Sequence, residues 1–121
     1  MAFKVYIYKN CDSCRKALKW LKEKNLDFTP LPIRETPPSQ SELQKALQSG
    51  IKMKDLFNRS GRDYRELGLK DKLPNLSELE AIELLSSNGN LVKRPFLTDG
   101  STFLVGFKED RWTQCLTPQK S

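Results

Sequence analysis

Histidine is absent from the 121-residue chain. That removes a Ser-His-Asp triad, a Cys-His dyad and every histidine-containing metal site. Cysteine is scarce, with Cys11, Cys14 and Cys115 as the three present. Three thiols do not complete a four-thiolate zinc or iron–sulfur site within one chain, so no resident metal is expected. An odd, low count also argues against a secreted disulfide framework. No apolar run approaches the length of a bilayer span. The N-terminal apolar stretch is short and broken by Lys4 and Lys9, which excludes a signal peptide. The expected setting is therefore a reducing cytoplasm, with no membrane partner. In that setting a close cysteine pair is more often catalytic or metal-binding than structural. Internal repeats, low-complexity segments and linkers are lacking too, so residues 1–121 are expected to form a single domain, taken as a monomer.

What is present describes a packed protein. Hydrophobic residues make up 37% and charged residues 30%, too apolar for a disordered chain. Lys and Arg outnumber Asp and Glu by 21 to 15, giving a net charge of +6. The basic residues are interleaved with acidic ones and the aromatics form no stacking motif, so direct nucleic-acid binding is not expected. The Lys residues between positions 16 and 24 read as a solvated helix face. Arg59, Arg62, Arg65, Lys93 and Arg94 are candidates for one anion-binding face, because guanidinium groups contact oxyanions and carboxylates in bidentate fashion. Trp20 and Trp112 are assigned to the core.

Phe3 to Tyr8 is rich in β-branched and aromatic residues and reads as a buried strand. A helix is expected from near Cys11, capped by Asn10, with Cys14, Ala17, Leu18 and Leu21 on one side. Leu26 to Ile33 reads as a second strand, placed at an edge by Pro30 and Pro32. Ser39 with Glu42 and Ser77 with Glu80 each fit a capping box. The first precedes a stripe of Leu43, Ala46 and Leu47 that ends at Gly50. The second precedes Leu79, Ile82 and Leu85, and Asn88-Gly89 stops that helix. Residues 51–69 read as short helical pieces broken at Ser60-Gly61. Phe96 to Thr98, Asp99-Gly100 and Thr102 to Phe107 read as a hairpin with a tight turn, and Lys108 to Leu116 as a last helix. The order is β-α-β, a helical middle, then β-β-α, with a parallel first pair and an antiparallel second pair.

Cys11-Asp12-Ser13-Cys14 stands between the first strand and its helix. A thiol at a helix N-terminus faces unpaired N–H groups and the positive end of the helix dipole, and both favour the nucleophilic thiolate. Lys9, Arg15 and Lys16 add to this if they face the thiol. Cys11 is assigned as the attacking thiol and Cys14, one turn further in, as the resolving thiol. The residues alone leave two other readings open, half of a zinc site shared between chains and a pair of inert thiols. The strand–helix–strand setting favours redox chemistry. Cys115 is assigned to packing.

The chain resembles the arsenate reductase-related branch of the thioredoxin-like proteins, the group that holds the glutaredoxin-coupled arsenate reductases and the Spx transcriptional regulators. Carrying the resemblance are Cys11 to Ala17, Pro37-Pro38-Ser39, Leu56 to Gly61, Tyr64 to Leu69, Lys93-Arg94-Pro95 and Val105 to Glu109. Within that group the chain most resembles the small bacterial members. The resemblance implies an α/β, thioredoxin-like fold with a helical insertion in the middle. It implies that Pro95 follows a cis bond beside the redox cysteine, that Arg94 presents its guanidinium near Cys11, and that Arg59 does so from the insertion, with one position of latitude at Asn58-Arg59. Two departures stand out. The glutaredoxin-coupled reductases use one essential cysteine and three arginines, whereas this chain has Cys14 in addition and Phe107-Lys108 where a third arginine is expected. Two functions follow. One is a thiol–disulfide oxidoreductase acting on a small thiol or anionic substrate, with no bound cofactor and with glutathione, glutaredoxin or thioredoxin as external reductant or redox-protein partner. The other is a Spx-like redox-sensing regulator that binds RNA polymerase.

Overall fold

The structure is a computed structural model and describes residues 3–116. Four strands form one sheet: β1 (Phe3–Ile7), β2 (Phe28–Pro32), β3 (Phe96–Thr98) and β4 (Phe103–Val105), in the order β2-β1-β3-β4. β1 pairs in parallel with β2 and antiparallel with β3, and β3 pairs antiparallel with β4. β2 lies at the edge, where Pro30 and Pro32 remove no hydrogen bond that a second neighbour would need. Both pair orientations match the sequence expectation.

Alternation along the strands divides the core in two. Val5, Leu97 and Leu104 point to one face, where α1 (Asp12–Glu23) and α7 (Glu109–Leu116) supply Ala17, Trp20, Leu21, Trp112 and Leu116. Tyr6, Phe96 and Phe103 point to the other, against the helical middle. That middle comprises α2 (Gln40–Gln48), α3 (Met53–Leu56), α4 (Arg62–Glu66), α5 (Leu69–Lys72) and α6 (Glu78–Ser87). Trp112 and Trp20 meet edge to face at 6.0 Å, and Trp112 Nε1–H donates to the Gly106 carbonyl at 3.0 Å. Both tryptophans are core residues, as expected.

The two capping boxes are present. The hydroxyls of Ser39 and Ser77 accept from the N–H groups of Glu42 and Glu80, and those glutamates accept from the serine N–H groups in return. Three expectations need correction. Asn10 does not cap α1. Cys11 takes the N-cap position, in extended conformation and without a side-chain cap, while the Asn10 amide donates to the Tyr8 hydroxyl at 3.3 Å. Leu79 is not part of the α6 stripe but 61% exposed. Ala81, Ile82 and Leu85 form the buried stripe, and at 100° per residue Leu79 lies about 110° around the axis from its centre. β4 is also shorter than expected, because Gly106 turns the chain at φ 74°, a left-handed conformation that ends the strand. The hairpin loop is held by Asp99, whose carboxylate accepts from the N–H groups of Ser101 and Thr102.

The insertion is tied to the sheet at the point that matters for the site. Phe57 forms a β-bridge with Val92, flanked by Asn58 N–H to the Leu91 carbonyl at 2.7 Å and Lys93 N–H to the Leu56 carbonyl at 2.8 Å. This places Asn58 beside the segment that runs through Lys93 and Arg94 into β3.

Candidate active site

The loop after β1 and the first turn of α1 hold the cysteine pair. Cys11 is half-buried at the helix start, and Cys14 is 1% exposed, one turn into the helix on its buried side. Both are free thiols. The Tyr8 N–H donates to Cys14 Sγ at 3.5 Å. Burial pushes the Cys14 pKa up to about 12, helped by a hydrogen bond and charge from Cys11 and opposed by the Tyr8 N–H and the Arg94 charge. The two thiols therefore stand within interaction range but in different surroundings. One opens to a cavity, and the other is held as a thiol.

That cavity measures about 450 Å³ and is lined by Tyr8, Asn10, Cys11, Ser13, Asn58, Ser60, Gly61, Lys93 and Arg94. The Arg94–Pro95 bond is cis, and the Gly106 N–H donates to the Pro95 carbonyl at 2.9 Å. Arg94 lies 5.1 Å from the Tyr8 ring centroid, and Arg34 lies 5.2 Å from it. The Tyr8 hydroxyl accepts from Asn10 and from Arg34 Nη1, both at 3.3 Å. The Asn10 hydrogen bond and the Arg34 charge hold the Tyr8 phenol below its ordinary pKa. Arg94 Nη1 is shielded from solvent and has no hydrogen-bond partner among the described residues. An unmatched donor on a cation at the edge of an open cavity suits an anionic acceptor.

Of the residues singled out from the sequence, Cys11, Lys93 and Arg94 meet in this cavity. Arg59 does not line it. Asn58 takes that place, while Arg59 turns to Asp55 at 3.8 Å and lines an adjoining cavity. Arg62 and Arg65 are exposed on α4 and line neither cavity. Arg15 is engaged with Asp12 at 3.0 Å and the Lys9 carbonyl at 3.3 Å, and neither it, Lys9 nor Lys16 reaches the Cys11 cavity. Phe107 packs edge to face on Trp112 at 4.9 Å, and Lys108 lines a different cleft that also includes Cys115. Cys115 is exposed, contrary to its assignment to packing, because it falls on the outer side of α7 while Trp112 and Leu116 face inward.

Tyr8 and Ser60 were not singled out as site residues from the sequence, and Asn58 falls within the one position of latitude allowed beside Arg59. Asn58 reaches the site through the Phe57–Val92 bridge, and its side chain lies against Gly61. A Cβ at that glycine would fall 2.6 Å from Asn58 Nδ2, so Gly61 leaves the space Asn58 occupies. Close by, Asp63 accepts from Asn88 at 3.0 Å and Asn90 at 3.2 Å, and these bonds hold its carboxyl below the usual range. They connect α4 to the turn that precedes Lys93.

Comparison with known proteins places this arrangement in context. The chain is 50% identical over 116 residues to the uncharacterised protein YusI of Bacillus subtilis, covering 94% of this chain and 98% of that one. It is 31% identical over 109 residues to the global transcriptional regulator Spx of Streptococcus mutans, covering 88% and 77% respectively. A solved ArsC-related protein of Bacteroides fragilis superposes with a TM-score of 0.88 at 42% identity, over 94% of this chain and 97% of that one. The fold is thioredoxin-like with a helical insertion. No helix among the described residues is long and apolar enough to cross a membrane. The model of the ArsC family matches residues 6–115, and the chain belongs to that family.

Proposed function

We propose that this chain is a cytoplasmic thiol–disulfide oxidoreductase in which Cys11 attacks and Cys14 resolves. The observation that carries the reading is the contrast between the two thiols. Cys11 opens to a cavity flanked by Lys93 and Arg94, while Cys14 is buried behind it with its pKa up to about 12. The Cys11 thiolate attacks one sulfur of a substrate disulfide, the S–S bond breaks, and the other sulfur leaves as a thiolate that takes a proton from water. Cys14 is then released from part of its constraint. Cys11 no longer carries charge or accepts its hydrogen bond, while the Tyr8 N–H and Arg94 still favour the Cys14 thiolate. Cys14 attacks Cys11, expels the second substrate thiol and leaves a Cys11–Cys14 disulfide. The substrate gains two electrons and the dithiol loses two. An external thiol, glutathione or a glutaredoxin or thioredoxin dithiol, restores the resting state.

The test is reduction of 2-hydroxyethyl disulfide coupled to glutathione, glutathione reductase and NADPH. Turnover that is lost in Cys11→Ser supports the reading. Undiminished turnover in that variant overturns it.

The relatives named Spx favour a second reading, in which the Cys11–Cys14 couple switches affinity for RNA polymerase. Pull-down from a bacterial extract in reduced and oxidised states separates the two. Redox-dependent recovery of polymerase subunits together with no disulfide turnover would select the regulator.

A further inference from the structure

The Cys11 cavity does not end at Arg94. Asn58, Ser60 and Lys93 line it and also line a second cavity of about 620 Å³, so the two adjoin at these three side chains. The second cavity has an apolar floor that includes Phe57 and Leu73, and a rim that includes Lys54, Arg59 and Lys70. Its lining carries no acidic side chain. Arg59 is partly offset by Asp55 at 3.8 Å, but no ion pair is recorded for Lys54, Lys70 or Lys93 among the described residues. Each cavity lies within the volume range of small-ligand sites. An apolar floor under unpaired cations selects a ligand that is both apolar and anionic.

From this juxtaposition we infer that the protein acts on small disulfides whose chain beyond the sulfur carries an apolar group and then a carboxylate. The sulfur lies at Cys11, and the anionic end lies among Lys54, Lys70 and Lys93. This rests on the oxidoreductase reading and names its substrate class. The chemistry is the exchange already described: the Cys11 thiolate forms a bond to one substrate sulfur, and the other leaves as a thiolate. The second cavity contributes by holding the departing or retained chain so that its sulfur faces Cys11.

The probes are two symmetrical disulfides, of acetyl-Cys-Leu-Glu with free carboxylates and of the amidated acetyl-Cys-Leu-Gln. The reaction is mixed-disulfide formation on Cys11, followed by intact mass in a chain carrying Cys14→Ser and Cys115→Ser. At low salt the anionic peptide is expected to react roughly tenfold faster than the neutral one. Adding Lys54→Ala and Lys70→Ala should bring that ratio close to one. Adding Lys16→Ala and Lys19→Ala instead removes the same charge from two positions of α1 that line neither cavity, and should keep the ratio within about twofold of the parent. Equal rates for both peptides in the parent chain overturn the inference and leave the oxidoreductase reading standing. So does a ratio lost equally in both lysine pairs, which makes it an effect of net charge. Equal peptide rates together with fast reaction of an acidic protein disulfide point to a protein partner and overturn the small-ligand assignment. Failure of both peptides to modify Cys11 sinks the oxidoreductase reading itself, and this inference with it.

Discussion

The Tyr8 N–H donates to Cys14 Sγ across 3.5 Å, joining the end of β1 to the first turn of α1. The same tyrosine lies under the Arg94 guanidinium at 5.1 Å. One residue thus braces the buried thiol through its backbone and the site arginine through its ring. Burial sets the resting difference between the thiols, and the Tyr8 N–H and the Arg94 charge work against it.

Alkylation should read that difference. Burial pushes the Cys14 pKa up to about 12 and holds it as the thiol at neutral pH. In a Cys115→Ser background, competitive iodoacetamide labelling with peptide mapping should modify Cys11 at least tenfold faster than Cys14. Faster labelling of Cys14 would reverse the assigned roles.

Glu42 links the insertion to the sheet. Its carboxylate accepts from the Tyr6 hydroxyl at 2.8 Å and the Ser39 N–H at 3.0 Å, with Lys4 at 3.4 Å. Burial works against this carboxylate, but the Ser39 N–H, Tyr6 and Lys4 outweigh it and hold its pKa below the ordinary value. A depressed folded-state pKa stabilises above the unfolded value of about 4.3 and loses that contribution as pH falls through the folded value. Glu42→Gln should destabilise by about 1–2 kcal/mol at pH 7 in urea titration. The gap to the parent protein should narrow as the pH is lowered below about 4.

Gly89 allows the insertion to close on β2. A Cβ there would fall 1.7 Å from the Ile33 carbonyl oxygen, a backbone atom that cannot swing aside. Gly89→Ala should therefore cost about 3 kcal/mol, read as a lower urea midpoint with unchanged slope. A loss under 0.5 kcal/mol would contradict the close approach.

Arsenate is expected to be a poor substrate. An arsenate–cysteine adduct needs several donors converging on its oxygens, each charge-assisted bond being worth roughly 1.5–3 kcal/mol. Arg94 and Lys93 line the Cys11 cavity, but Arg59 and Lys108 line others. Loss of one such donor in a transition state costs on the order of a hundredfold in rate. NADPH consumption with arsenate, glutathione and glutaredoxin should stay near background. Robust turnover that vanishes in Cys11→Ser would show that Arg94 and Lys93 suffice.

Much of the fold is legible in the sequence because its determinants are local. The capping boxes at Ser39 and Ser77, the prolines of β2 and the hairpin around Asp99 each act within a few residues. The cysteine pair is legible for the same reason, as a motif at a strand–helix junction. Asn58 is not, because its place beside Cys11 depends on a bridge between Phe57 and Val92, 35 positions apart in the chain. The exchange of Asn58 for Arg59 is a one-residue register that side-chain chemistry alone favours wrongly, since arginine is the better anion ligand. Asn10 is misread for a related reason. It has cap chemistry, but the helix starts one residue later and the amide goes to Tyr8.

The central claim is that Cys11 attacks and Cys14 resolves, and trapping tests it most directly. Parent, Cys11→Ser and Cys14→Ser chains, all in a Cys115→Ser background, are exposed to a small disulfide and analysed by intact mass and peptide mapping. The account predicts an intramolecular Cys11–Cys14 disulfide in the parent, an accumulating mixed disulfide on Cys11 in Cys14→Ser, and an unmodified chain in Cys11→Ser. A mixed disulfide that accumulates on Cys14 in Cys11→Ser, at a rate matching that of Cys11 in Cys14→Ser, would contradict it.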